Sequence, residues 1–264
     1  MTRDRRSVLK GIGAGTAAVV GITGTATASN HGTGDAEVRV IHASPDAPAV
    51  DVFVDGSAVL EDVTFTTVSD YLSLPAGSYD VAVAPAGAGV GSAVIDTSLT
   101  VDADTDYTVA AANQLANIEP VVFVDDNEAD GPTGLSRLRV VHLSPDAPAV
   151  DIVQTDGPGV GGGENIVVSD LSYQNASGYL DLPPADYEFE VRAAGTDQSV
   201  ATVPLDPEPG ATYTAFAVGL LSPDDDSQAF DVVASEDVAP VTERTGSGRG
   251  NGNGGNGRGR GNGR

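Results

Sequence analysis

Three residue types able to do chemistry recur at fixed spacing in this chain. His42, Ser44, Asp46 and Asp51 stand in the run His-Ala-Ser-Pro-Asp-Ala-Pro-Ala-Val-Asp. One hundred residues later His142, Ser144, Asp146 and Asp151 stand in His-Leu-Ser-Pro-Asp-Ala-Pro-Ala-Val-Asp. A histidine, a hydroxyl and carboxylates this close invite three readings. The first is nucleophilic hydrolysis, which needs the serine held for attack. Pro45 and Pro48, like Pro145 and Pro148, fix φ around it, and no glycine-flanked nucleophile elbow is present. The second is a divalent cation. One histidine per run is thin for zinc, which takes about three protein ligands including His or Cys. The third is structural and explains the whole motif. The prolines stiffen a connection, Asp46 accepts backbone N–H bonds in a turn, Ser44 does so more weakly, and His42 donates to Asp46 or Asp51.

Other candidates are weaker. Asp102, Asp104 and Asp106, and separately Asp224, Asp225 and Asp226, supply the oxygen ligands that calcium takes. Neither loop has the central glycine and terminal glutamate of an EF-hand. Solvated acidic loops are the simpler reading, so no cofactor is expected and calcium is the alternative. Gly87–Gly91 and Gly161–Gly163 lack the lysine and helix of a phosphate loop. Asn175-Ala176-Ser177 is a glycosylation acceptor triplet. No carboxylate pair is set in apolar surroundings, as glycoside hydrolysis needs.

The elements that position these residues read as strands. Glu37–His42, Ala49–Val54, Tyr79–Val83, Tyr107–Ala111 and Tyr187–Arg192 alternate. Asp55-Gly56 is a strong two-residue hairpin turn. No segment shows apolar positions at helical spacing behind a cap. The landmarks repeat in order: Tyr71-Leu72 with Tyr179-Leu180, Tyr79 with Tyr187, Tyr107-Thr108 with Tyr213-Thr214. The chain therefore holds two diverged copies of one domain, over 36–126 and 137–236, joined by a polar linker at 127–136. Seven or eight short strands per copy predict an all-β protein of two immunoglobulin-like β-sandwich domains, with small β-barrels as the alternative. The short linker places the copies side by side.

The ends differ from the middle. Arg5, Arg6, Val8, Leu9 and Lys10 precede a glycine- and alanine-rich apolar stretch and the small-x-small site Ala26-Thr27-Ala28. Residues 1–28 read as a signal peptide of twin-arginine type. No later stretch is long and apolar enough to span a bilayer. Residues 244–264 are glycine, asparagine and arginine without an apolar seed, and are expected to be disordered. The chain has no cysteine, which rules out disulfides and a lipid anchor on cysteine.

The formal net charge of the chain is −25. Between Asn30 and Glu243 the basic residues are Arg39, Arg137, Arg139 and Arg192, against all but one of the 38 acidic ones. That span carries about −33, and lysine is absent from it. Such self-repulsion is tolerable where salt shortens the Debye length to a few Å, so very saline surroundings are expected. It also excludes DNA and RNA, whose phosphates need a basic footprint.

The His-x-Ser-Pro-Asp-Ala-Pro-Ala-Val-Asp runs closely resemble the motif of the domain of unknown function numbered 4397. They carry it on His42, Ser44, Pro45, Asp46, Ala47, Pro48 and Asp51, and on His142, Ser144, Pro145, Asp146, Ala147, Pro148 and Asp151. The resemblance implies an exported or surface β-domain, often repeated, with no assigned chemistry. The expected function is an exported, non-catalytic surface or envelope module, with envelope proteins or glycans as partners. A secreted hydrolase or a calcium-dependent binding protein is the alternative.

Overall fold

The computed structural model describes residues 18–19, 34–127, 134–161 and 163–238. The twin-arginine pattern, the Ala26–Ala28 site, most of the linker and the tail lie outside the described residues. Near the N-terminus, Ala18–Val19 runs antiparallel to Ser57–Val63, with Ala18 opposite Glu61.

The first copy has eight strands: β1 Asp35–His42, β2 Val50–Val54, β3 Ser57–Val63, β4 Leu72–Pro75, β5 Gly77–Pro85, β6 Ile95–Val101, β7 Asp106–Ala112 and β8 Glu119–Asp125. They form two facing sheets, ordered β3-β2-β5-β6 and β4-β1-β7-β8. The second copy repeats this with β9 Ser136–His142, β10 Val150–Asp156, β11 Asn165–Leu171, β12 Asn175–Ala176, β13 Leu180–Leu182, β14 Tyr187–Ala193, β15 Ser199–Leu205, β16 Thr212–Val218 and β17 Asp231–Val238. Its sheets are β11-β10-β14-β15 and β9-β16-β17, with β12 and β13 both pairing β9. Each copy is thus a β-sandwich, and the described residues include no α-helix and no closed barrel.

Local chemistry explains the turns. Asp55 and Gly56 adopt φ 48° and 77°, the paired positive values that close β2 onto β3 in a two-residue hairpin. The recurring tyrosines pin backbone. Tyr79 donates to Pro75 O at 2.6 Å and Tyr187 to Pro183 O at 2.7 Å. Tyr107 and Tyr213 each accept a bond from the backbone N–H five residues earlier, Asp102 and Glu208.

Alternation along β1 sorts its side chains to two faces, but neither face is solvated. Ala36 and Val38 join the core of the first sandwich. Ile41, on the opposite face, joins Val141, Leu143 and Phe216 of the second copy. The β4-β1-β7-β8 sheet therefore packs face to face on the β9-β16-β17 sheet. The molecule is four sheets deep, and all seven residues of β16 are buried. The copies are adjacent and meet face to face through these two sheets.

Candidate functional site

Each repeated histidine ends the first strand of its copy, on β1 or β9, and is fully buried. His42 Nε2 donates to Pro48 O at 3.0 Å, and its Nδ1 accepts from Ser44 N–H at 3.3 Å. His142 repeats both contacts at the same distances with Pro148 and Ser144. Both ring nitrogens are engaged in the neutral Nε2–H tautomer. Burial pulls both imidazoles below their ordinary pKa, which keeps them uncharged. Phe65 and Tyr173 close over the two rings edge-on, at 6.3 and 6.1 Å between centres. The histidine bonds the proline carbonyl, not Asp46 or Asp51 as the spacing suggested.

The carboxylates of the motif serve the backbone. Asp51 accepts from Asp62 N–H at 3.0 Å and Gly87 N–H at 2.8 Å. Asp151 accepts from Asp170 and Gly195 in the same way. Asp46 holds Leu115 N–H, and Asp146 holds Leu221 and Ser222. Ser144 Oγ donates to Gly219 O at 2.7 Å, whereas Ser44 Oγ is buried without a hydrogen-bond partner. At the matched position, five residues after Thr108 and Thr214, the first copy has Asn113, at φ 73°, where the second has Gly219, at φ 83°. Pro45, Pro48, Pro145 and Pro148 complete two stiff loops that hold strand ends together.

The acidic loops stay dispersed. Asp104 accepts from Gly34 N–H, and Asp225 accepts from Ser227 N–H at the start of a short 3-10 turn. Asp102, Asp224 and Asp226 are exposed and Asp106 is buried. Among the described residues no three His, Asp or Glu side chains converge into a cation-sized cluster. Asn175 is exposed on the two-residue β12, and its amide donates to Tyr173 O.

The densest polar constellation lies elsewhere, between the stacked sheets. Arg39 of β1 reaches Asp237 of β17 at 2.5 Å, and Arg139 of β9 reaches Asp125 of β8 at 2.6 Å. Each ion pair crosses from one copy to the other, and the two are related by approximate two-fold symmetry. Threonines at matched strand positions tie them together. Thr108 Oγ1 donates to Asp125 at 2.6 Å, and Thr214 Oγ1 donates to Asp237 at 2.5 Å. Arg39 and Arg139 donate in turn to Thr108 and Thr214. Tyr71 donates to Asp125 at 2.7 Å and lies under the Arg39 guanidinium, 4.8 Å from ring centre to Cζ. Asn127 donates to the Tyr71 hydroxyl.

The charged side chains of both pairs are at most 3% exposed. Burial opposes the Arg39 charge, but Asp237, Tyr71 and Asp125 outweigh it and raise its pKa overall. Burial also raises the Asp237 carboxyl and pushes the Tyr179 hydroxyl up to about 12. The remaining cations of the two domains are also engaged. Arg137 pairs with Asp126 at 2.6 Å, and Arg192 pairs with Glu164 and Glu190 at 2.7 and 2.8 Å. All four arginines between Asn30 and Glu243 thus point into ion pairs, and the outer surface is left to carboxylates.

Sequence reasoning noted these arginines only as charge. The signal that could have found their roles is the shared offset of 100 between Arg39 and Arg139, beside the matched threonines on the neighbouring strands.

Among solved structures, the Bacillus anthracis TIE protein aligns at 14% identity and TM-score 0.24, covering 71% of this chain and 34% of its own. This chain thus spans about a third of that protein. A family 26 carbohydrate-binding module from Eubacterium rectale, solved with maltoheptaose, aligns at 10% identity and TM-score 0.24, covering 78% of this chain and 98% of its own. An α-glucan-binding streptococcal virulence factor aligns at 13% identity and TM-score 0.22, covering 70% and 93%. Likenesses this distant carry no function across. No curated protein matches the chain. The domain of unknown function DUF4397 matches residues 36–153 and 160–246; the first match spans the whole first sandwich and the opening strands of the second, and the other takes in the rest. With both sandwiches covered and a motif loop at the head of each, the chain belongs to the DUF4397 family.

Proposed function

We propose that this protein is an exported, non-catalytic envelope module, a rigid double sandwich that presents an acidic surface to other envelope proteins in very saline surroundings. The observation that carries the reading is the saturation of the motif's histidines and carboxylates. Both nitrogens of His42 and of His142 are engaged inside the fold, and Asp46, Asp51, Asp146 and Asp151 all hold backbone N–H groups. Such residues build loops; none is poised to take a proton, attack a carbonyl or bind an ion. Export rests on the twin-arginine pattern with its apolar stretch, and saline surroundings rest on the charge.

Protein partners are favoured over glycans by one feature. A stacking platform for a sugar ring needs an exposed aromatic face, and the seven tyrosines and six phenylalanines are all buried or half-buried. The test is a pulldown from intact cell envelopes at native salinity with the full mature chain, with purified envelope glycans as a parallel arm. Specific envelope proteins should be retained; retention of glycans alone would replace the protein reading. Substrate panels with the wild type and the His42→Gln and His142→Gln variants address the enzyme alternative. Turnover that disappears in a variant that still folds would overturn the non-catalytic reading. A melt in high salt should not move on adding chelator, and a large drop would restore the calcium-dependent alternative.

A further inference from the structure

The two sandwiches share a fold but not a core. Between the sheets of the first lies a cavity of about 250 Å³, walled by aliphatic side chains such as Val38, Val52, Val83, Ile95 and Val109. The corresponding space in the second is about 40 Å³. Matched strand registers show the cause. Tyr79 faces Leu99 as Tyr187 faces Leu205; two residues on, Val81 faces Thr97 where Phe189 faces Val203. The Phe189 ring fills the second core, stacked 5.6 Å from Tyr187. The first copy has only a valine there.

The same comparison extends to the rim. The cavity is lined by residues of two edge strands of the first sandwich, β6 (Thr97, Ser98, Leu99) and β8 (Pro120, Val122). On β8, Val122 and Val124 are 45% and 64% exposed. The ladders place Val122 opposite Val109 and Val124 opposite Tyr107; the second copy has Ala234 and Glu236 at those places. There the edge strands β15 and β17 come into contact. One copy is filled and edged with a carboxylate. The other is hollow and edged with exposed valines, on an otherwise acidic protein.

A dry aliphatic cavity of about 150 Å³ is enough to take up benzene or xenon. This one is larger and has an apolar approach. Its hydroxyls belong to Thr97, Ser98 and Tyr79, the first two exposed on the edge strand and the third donating to Pro75 O. Nothing deep inside can satisfy a polar group, so a ligand must be hydrocarbon inside with any polar end at the rim. We propose that the first sandwich is a hydrocarbon-binding domain, taking either a small free apolar molecule or the end of a lipid chain between β6 and β8, and that the second sandwich is its sealed counterpart.

The test uses the full mature chain in molar salt, with octan-1-ol as the free probe and phosphatidylglycerol vesicles as the lipid probe. Octanol should raise the melting temperature, by about 3–5 °C for each tenfold beyond half-saturation for a protein of this size. Val81→Phe, which copies Phe189, should raise the melting temperature without octanol and abolish the octanol-dependent rise. Val124→Glu copies Glu236 at an exposed position, so it should fold normally and weaken octanol binding several-fold. Vesicle co-sedimentation that Val124→Glu removes identifies the lipid-chain source, and an octanol response without co-sedimentation identifies the free-molecule source. The proposal is overturned if octanol leaves the wild type unmoved, or if the response survives both Val81→Phe and Val124→Glu. Should Val81→Phe not fold, Val124→Glu alone decides. Neither outcome depends on the envelope partner.

Discussion

Removing Asp237 would leave Arg39 charged, buried and short of its nearest counter-ion. Arg39 is 1% exposed and its 2.5 Å partner is fully buried. The substitute within reach is Asp125, at 3.7 Å and already bonded to Arg139, Thr108 and Tyr71. Breaking a buried pair on one side costs about 3–5 kcal/mol, because the desolvated survivor is uncompensated. Asp237→Ala also takes the acceptor from Thr214. Arg39→Met strands the opposite charge and should cost a similar amount. The pair Arg39→Met with Asp237→Leu removes both charges and fills the space with apolar atoms, a change that is often neutral or stabilising. The cycle should therefore show a coupling of about 2 kcal/mol or more. Urea unfolding suits the measurement because molar sodium chloride can be kept constant. The wild type should unfold in one transition, and Asp237→Ala should separate the sandwiches into two. Moderate and high salt should give the same coupling, since water and ions do not reach the pair. A single-substitution cost under about 1 kcal/mol, the size of an exposed pair, would refute the reasoning, as would a coupling that disappears in salt.

Three further outcomes follow from particular contacts. His42 and His142 have pKa values lowered by burial, so as pH falls the unfolded chain takes up their protons first. The stability they support is complete above the ordinary histidine value of 6.5 and is lost as pH falls from there toward the folded values, at up to about 1.4 kcal/mol per pH unit for each ring. His142→Gln, whose amide can still donate to Pro148 O, should halve that acid slope in pH-dependent urea titrations. Gly219→Ala should cost about 2–4 kcal/mol by denaturation, because its Cβ would lie 2.3 Å from Ala229 O at φ +83°. Lowering sodium chloride from molar toward 0.01 M should lower the urea midpoint steadily, as the Debye length grows from about 3 to 30 Å across an acidic surface; a flat or rising midpoint would sink the saline reading.

Much of the fold was legible because the signals are local. Asp55-Gly56 forces a hairpin through its positive φ values whatever surrounds it, and Tyr187–Arg192 alternates because one side of β14 does meet water. The contacts between the copies were not legible, since alternation reports two faces and not what covers each. Arg39 sits where a solvated residue belongs on a half-buried strand, and only a second sheet laid over it makes the position buried. Asp237 lies one residue beyond the boundary read at 236, and Asp125 lies at the far edge of the first copy. Nothing in their own neighbourhoods marks Asp237 as the partner of Arg39, 198 residues away, or Asp125 as the partner of Arg139, 14 residues on in the other copy. The motif was legible as a stiff structural loop, but not in which atoms it pairs. His42, Ser44 and Asp46 look like chemistry when written in a row, yet Pro48 offers a carbonyl at the right distance, and a neutral buried ring takes it. The cavity was invisible to patterning for a third reason: Val81 and Phe189 are equally apolar, and only their volumes differ.

The placement of the four arginines bears on how the two copies keep one register. The faces they share mix alanines such as Ala43, Ala110 and Ala112 with larger side chains such as Ile41, Phe123, Leu143 and Phe216. Apolar burial is non-directional, so apolar contact alone sets the position of one sheet over the other less sharply than a directional ion pair does. In molar salt an exposed ion pair is screened and corrects little of this. A buried pair is not screened, and it is costly in every arrangement but one. Displacing β1 by a single residue would turn the Arg39 guanidinium into the core of its own sandwich and leave Asp237 facing an aliphatic surface. The two crossed pairs, joined into one network through Thr108, Thr214 and Asp125, impose that penalty together. Their contribution is therefore to specificity of docking more than to net stability, the role for which buried charge is best suited. A protein with so little positive charge has placed half of its domain arginines where salt cannot weaken them.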